Sequence, residues 1–312
     1  MKKYGFGIDI GGTTCKIGLL ETAGNIVEKW EIPTRTQNGG EQILPDVASF
    51  ILEKIEERKI PKDEIQGIGI GVPGPVTPEG VVLKCINLGW GVRNIAKEME
   101  ERTGFAVKAG NDANVAALGE MWKGGGKGKK NLIMVTLGTG VGGGVVIDGN
   151  MIAGSSGAGG EFGHMKVNPH ETESCGCGKC GCLEQYASAT GIVRLAKRTL
   201  ANMTEETSLR GVKALTAKAV FDAAKAGDKA ADGIVEKMAE ILGMALANIA
   251  CVVNPEIIVI GGGVSKAGSI LTERVETHFR KNVFHACLNA EIVLASLGND
   301  AGMYGCVRML LS

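Results

Sequence analysis

The sequence predicts an α/β protein built as two domains, and three features carry that expectation. Short apolar runs that end at glycine-containing turns, such as Tyr4–Ile10 and Ile65–Val72, alternate with segments whose apolar residues recur at helical spacing. The pattern apolar strand, glycine–threonine turn, apolar strand occurs twice, around Gly11-Gly12-Thr13-Thr14 and around Leu137-Gly138-Thr139-Gly140. Between these two openings, residues 123–130 form a polar, glycine-rich link that suits a hinge. The echo suggests duplicated domains whose two hairpin turns face one cleft.

Composition limits the function classes. A chain of 312 residues with 44% hydrophobic content can bury a core of two-domain size. Lys+Arg and Asp+Glu both number 34, so no global field favours nucleic acid or an anionic membrane. The 48 glycines sit in punctuating turns rather than in a repeat, which excludes collagen-like or low-complexity readings. Nine cysteines without a leader-like start suggest a soluble protein of the reducing cytoplasm. Residues 241–253 are the most apolar stretch, yet no run is long enough to span a bilayer.

Taken in order, residues 4–10, 15–20 and 26–32 read as a three-stranded meander. Its first turn exposes backbone N–H groups that can cradle a phosphate, with Thr13, Thr14 and Lys16 as further donors. Asp9, a carboxylate inside an apolar strand, suits an outer-sphere Mg²⁺ contact or a plain strand end. A helical face covers 42–58, a buried strand 65–72 ends in Pro73-Gly74-Pro75, and a helix follows Asn87-Leu88-Gly89-Trp90 through residue 101. The strand 105–109 delivers Asn111 and Asp112 at its carboxyl end, where ligands of open α/β sheets sit. Asp112 could equally N-cap the helix 115–122.

The second half opens with strands 131–136 and 141–147. Helices are expected over 184–201, 215–226 and 231–253, the last stopped by Pro255. Strand 256–260 opens into Gly261-Gly262-Gly263-Val264, a turn open to a flat ligand or a phosphate, followed by a helix to about residue 281. Strand 291–295 precedes a terminal helix 301–311.

The densest chemistry lies in Glu161-Phe162-Gly163-His164 and the run from Cys175 to Glu184. Four cysteines within eight residues are too crowded for ordinary disulfide geometry but well placed to converge on one ion. His164 with Cys175, Cys177 and Cys182 is expected to make a closed tetrahedral structural zinc site, leaving Cys180 spare; the alternatives are a reduced, thiol-rich turn without metal and a redox pair such as Cys177 with Cys180. Glu161 and Glu184 frame the loop; either they hydrogen-bond a polyhydroxylated ligand, or Glu161 caps a turn and Glu184 begins a helix.

Together, Asp9-Ile10-Gly11-Gly12-Thr13-Thr14, Asn111-Asp112-Ala113-Asn114, Leu137-Gly138-Thr139-Gly140, the zinc loop and Gly261-Gly262-Gly263 resemble the ROK family of sugar kinases and repressors over essentially the whole chain. Within the family the pattern is most similar to the bacterial ATP-dependent glucokinases. The resemblance implies an actin-like, ribonuclease H-type ATPase fold with a cleft between its domains. It implies a small domain 1–122 completed by the helix 300–312, and a large domain 123–299 carrying the zinc loop 164–184. It also implies phosphorylation of glucose to glucose 6-phosphate, with Asp112 as the base and Gly74, Asn87, Asn111, Asp112, Glu161, His164 and Glu184 at the hexose. ATP and Mg²⁺ would engage Asp9, Gly11, Gly12, Thr13, Thr14, Lys16, Gly138, Thr139, Gly140, Gly261, Gly262, Gly263 and Val264. Zn²⁺ is structural, and a homodimer or tetramer is expected. Glu171, Glu173 and Ser174 depart from the glycine and proline often found in that loop. The alternatives are a kinase for N-acetylglucosamine, N-acetylmannosamine or fructose, and a sugar-sensing regulator; regulators of the family carry a helix-turn-helix for which a strand beginning at Tyr4 leaves no room.

Overall fold

β1 (Tyr4–Ile10) is largely buried on both faces, the pattern of a central strand. The computed structural model describes residues 2–312 and places β1 in the middle of a five-stranded sheet. The chain forms two compact units. The first takes the chain through Lys130, then Gly144–Gly160 and Ser296–Ser312; the second takes Asn131–Gly143 and Glu161–Ala295.

In the first unit β1 pairs antiparallel with β2 (Thr14–Glu21), which pairs antiparallel with β3 (Ile26–Pro33). β3 alternates half-buried and exposed residues, the pattern of an edge strand. After one irregular turn, α1 (Gln37–Gly40), the helix α2 (Ile43–Glu57) turns Ile43, Leu44, Val47, Ile51 and Ile55 into the core. β4 (Ile65–Val72) then pairs parallel with β1. A hairpin of two-residue strands follows, β5 (Val81–Val82) and β6 (Arg93–Asn94), too short to show any alternation in the sequence. The helix expected directly after Trp90 starts later, as α3 (Ile95–Thr103), because the Asn94 side chain caps it by accepting the Lys97 N–H. β7 (Val107–Asn111) completes the order β3-β2-β1-β4-β7, and α4 (Asp112–Lys123) leaves its end.

The C-terminal helix Ala301–Met309 packs on this sheet and on α4 with almost no spacing. A Cβ on Gly305 would stand 1.7 Å from the Val115 carbonyl oxygen, and one on Gly119 2.1 Å from that of Ala301. The fully buried Glu120 carboxylate accepts N–H groups from Gly125, Ser296 and Leu297. It thereby fixes both the glycine link and the approach to the last helix.

The second sheet begins with β8 (Leu132–Leu137) and β9 (Val141–Ile147), and β10 (Asn150–Met151) extends the hairpin. The full strand order is β10-β9-β8-β11-β12, with β11 (Ile257–Gly261) parallel to both β8 and β12 (Glu291–Leu294). The single helix expected over 184–201 is two, α5 (Glu184–Ala187) and α6 (Ala189–Ala201). Ser188 breaks it by adopting an extended backbone, its Oγ accepting the Gly191 N–H as the cap of α6. α7 (Ala217–Lys225) and the 25-residue α8 (Lys229–Val253) follow. Asp228 caps α8, and Asn254 ends it in the left-handed region at φ 49°. After β11 the chain makes a 3₁₀ turn, Gly263–Ala267, before α9 (Ser269–Asn282), so the expected helix begins later than its glycines suggest.

The units differ from the expected division in three stretches, residues 123–130, 144–160 and 296–299, all of which fall in the first unit. Gly144–Gly160 belongs with the first unit, where a Cβ on Gly144 would lie 2.6 Å from the Ala117 methyl and the Asn114 side chain donates to the Gly159 carbonyl at 2.7 Å. No helix of the described residues is long and apolar enough to cross a membrane.

Candidate active site

In the first unit the glycine turn between β1 and β2 is pinned from β3. The Thr34 hydroxyl donates to Gly11 O at 2.7 Å and its N–H to Thr13 O at 2.8 Å, while Gly12 and Thr13 stay exposed. The turn's N–H groups are thus presented on a fixed backbone. Asp9 and Lys16 face one another across the hairpin. Burial pushes the Asp9 carboxyl up, and the Lys16 ammonium opposes the shift. A desolvated carboxylate of this kind gains from a cation at its open side.

At the end of β7 the capping role falls to Asn111 rather than Asp112. Asn111 Oδ1 accepts the N–H groups of Ala113 and Asn114 at 3.0 and 3.1 Å, and its Nδ2 donates to Gly74 O at 3.2 Å. Asp112 is the first helical residue, half-buried, with Oδ1 on the Ala113 N–H at 2.8 Å. Gly74 adopts φ 94°, and a Cβ there would lie 2.6 Å from Lys84 O, so only glycine fits. Asn87 is exposed beside the hairpin turn, its Cβ 3.9 Å from the Cβ position of Gly12. The carboxyl ends of β1, β4 and β7 therefore gather Gly74, Asn87, Asn111 and Asp112 beside the first turn.

In the second unit the turn Gly138-Thr139-Gly140 is held by the start of α6. Ala189 N–H donates to Gly138 O and Thr190 Oγ1 to Thr139 O, both at 2.8 Å. Glu184 both begins α5 and turns its carboxylate inward. Its Oε2 accepts the Val141 N–H at 2.9 Å, and the Cys175 thiol stands 3.5 Å from Oε1. A Cβ on Gly140 would lie 2.2 Å from Glu184 Oε2, so the turn and the carboxylate touch. Gly262, at φ 82°, presses on the end of β8: a Cβ there would meet Leu137 O at 2.5 Å. The two glycine turns of this unit thus lie side by side. A cavity of about 680 Å³ adjoins Thr139, walled by Thr190, Val193, Leu215, Thr216 and Ala217. The sequence assigns none of these wall residues a role: Thr190 and Val193 fall inside the helix expected over 184–201, and Leu215, Thr216 and Ala217 begin the one expected over 215–226.

Glu161 and His164 are exposed on either side of a 3₁₀ turn. The ligand atoms of His164, Cys175, Cys177 and Cys182 all lie within 4.8 Å of one another. His164 Nδ1 is 3.8 Å from Cys175 Sγ, and the sulfurs of Cys177 and Cys182 are 3.6 Å apart. That spacing is far beyond a disulfide bond of about 2.05 Å. It matches the edges, about 3.8 Å, of a tetrahedron with metal–sulfur bonds near 2.3 Å. Burial raises the Cys175 thiol and pushes Cys182 up to about 12. Three thiolates in so small a space call for a cation, so the donor set is compatible with zinc. Cys180 is outside the cluster, its thiol directed at Thr172 O, 3.6 Å away.

A second fastening of the same loop lies in residues whose pairing the sequence does not disclose. The Glu171 carboxylate, 2% exposed, accepts the Tyr186 hydroxyl at 2.7 Å and two bonds from Arg198 at 2.9 and 3.0 Å, and it pairs with Arg194. Glu173 pairs with the same two arginines. The Arg198 guanidinium, followed by Arg194, Tyr186 and local N–H bonds, holds the Glu171 carboxyl far below its ordinary 4.5 despite the burial that opposes it. A depressed carboxylate contributes stability above its unfolded value and loses it as pH falls. Glu171→Gln should therefore be less stable than the wild type at pH 7, with the gap closing below about pH 4.5. Denaturant titrations of both proteins at pH 7 and pH 4 test this; a gap independent of pH would refute the charged role.

The family model described as ROK family matches residues 5–312, and the chain belongs to the ROK family. Its architecture is the actin-like ATPase fold of that family's sugar kinases. The glucokinase of Halalkalibacterium halodurans is 46% identical over 306 residues, covering 96% of this chain and 92% of that one. The glucokinase of Thermotoga maritima is 37% identical, with coverage of 97% and 96%. A solved ROK family glucokinase from Streptomyces griseus, in complex with glucose and AMPPNP, superposes with a TM-score of 0.75 at 32% identity, covering 97% of this chain and 98% of that one.

Proposed function

We propose that the protein phosphorylates glucose with ATP, giving glucose 6-phosphate and ADP. The observation that carries this reading is the 46% identity to a glucokinase along nearly the whole of both chains. The geometry of the residues supports it. Asp112 accepts the proton of the sugar 6-hydroxyl as that oxygen bonds to the γ-phosphorus and the bond to the β-phosphate oxygen breaks. Asn111, held by its own cap and by Gly74, keeps Asp112 at the start of α4. Gly74, Asn87, Asn111, Glu161, His164 and Glu184 position the hexose. The turns 11–14 and 138–140, with Lys16, donate to the phosphates, and Gly261, Gly262, Gly263, Val264 and the adjoining cavity take the adenosine. Asp9 is the residue that would hold Mg²⁺, which neutralises phosphate charge when bound. His164, Cys175, Cys177 and Cys182 would hold a structural Zn²⁺ that stiffens the loop bearing His164 and leading into Glu184. A homo-oligomer in the cytoplasm is the setting this reading expects.

The test is ADP release by the purified protein with Mg²⁺-ATP across glucose, mannose, fructose, N-acetylglucosamine and N-acetylmannosamine. Release with glucose above all others is the expected result. Preference for an acetylated sugar would overturn the substrate and leave the mechanism. Silence with every sugar would overturn the kinase reading with ATP as donor.

A further inference from the structure

The start of α6 touches both the phosphate turn and the backbone of Glu184, the residue whose carboxylate is assigned to the sugar. The Ser188 hydroxyl donates to the Glu184 carbonyl at 2.6 Å. The Thr190 hydroxyl lies 2.8 Å from Thr139 O and 2.9 Å from Ser188 Oγ. Ser188 uses its one proton on Glu184, so the single proton of Thr190 has two acceptors within reach. One acceptor is the backbone of the phosphate turn; the other is the cap of the helix that follows Glu184. From its own side, Glu184 reaches back to the turn through the Val141 N–H at 2.9 Å. The result is a closed circuit, Thr139 to Thr190 to Ser188 to Glu184 to Val141, within one unit.

We propose that Thr190 is a positioning residue that makes nucleotide and sugar binding cooperative, an inference that rests on the function proposed above. Phosphates engaging the 138–140 turn change how well Thr139 O accepts. The Thr190 proton redistributes between Thr139 and Ser188, and the last turn of α5 carries the change to Glu184. A coupling of this kind is reciprocal: glucose tightens the nucleotide by the same factor as the nucleotide tightens glucose. Thr190 is exposed and its neighbour Ala189 keeps a separate bond to Gly138 O, so loss of the hydroxyl leaves the helix and the turn in place.

The experiment is calorimetric titration of glucose into the full-length protein, with and without saturating Mg²⁺-AMPPNP. The wild type should bind glucose roughly 5–150 times more tightly with the nucleotide, the usual range of such couplings. Thr190→Val should cut that factor about fivefold, the effect of one hydrogen bond, while Thr190→Ser restores it. A wild-type protein that binds neither ligand would overturn the kinase reading and this proposal together. Binding of both without coupling, or an unchanged factor in Thr190→Val, would overturn the proposal alone. So would a Thr190→Ser variant as uncoupled as Thr190→Val, since a hydroxyl at this position would then not restore the coupling.

Discussion

Asp112→Asn should lower turnover by about 10²–10⁴, the scale of a positioned general base, and leave glucose affinity and fold intact. The separation of effects follows from the division of labour at the start of α4. Asn111, not Asp112, satisfies the free N–H groups of Ala113 and Asn114, so the helix keeps its cap in the variant. The carboxamide oxygen of the substituted side chain can still accept the Ala113 N–H that Asp112 Oδ1 accepts now. The capacity to take up a proton is removed. Parallel measurement of kcat, glucose Kd and thermal midpoint checks the claim, and turnover near the wild-type value would remove Asp112 from the role of base.

Removing zinc should be nearly as damaging to catalysis and far less so to folding. Stripping the metal, or the Cys182→Ser change at a sulfur only 1% exposed, frees the segment carrying His164 and the approach to Glu184. Misplacement of sugar-holding groups by an ångström can cost about 10² in kcat/KM. The far side of the loop stays fastened through Glu171 to Tyr186, Arg194 and Arg198, so far-UV circular dichroism should hardly change. Metal analysis should find one zinc per chain in the active protein. Full activity in demonstrably zinc-free protein would contradict the assignment.

What could be read from the sequence was whatever a local pattern encodes. β1, β4 and β9 occupy the residues their apolar runs mark out, and the Cys-rich run with His164 forms the cluster its spacing implies. What escaped depends on partners distant along the chain. Ser188 interrupts a pattern that stays helical on both sides, and its cap becomes visible only with the Gly191 N–H in place. Glu171 looks like an exposed loop acid until two arginines from α6, more than twenty residues on, surround it. The sequence offers Asp112 as the cap of α4, but the extended backbone at Asn111 gives that place to Asn111, a residue type that caps as well. Gly144–Gly160 left its expected domain through contacts with α4 that no local signal announces.

The seating of the final helix has a consequence for biosynthesis. Glycines 7 and 69, in β1 and β4, leave room for its backbone: a Cβ at either would lie about 2 Å from the carbonyl oxygen of Met303 or Cys306. Strands made early are therefore shaped for a partner made more than two hundred residues later. Until residues 301–309 are translated, one face of the first sheet lacks its cover, however well its hairpin has formed. Nascent chains should carry that apolar face until then, a window in which chaperone capture competes with aggregation. A ribosome stalled before Ala301 would hold a chain with every proposed phosphate-binding turn already made and the first unit still open.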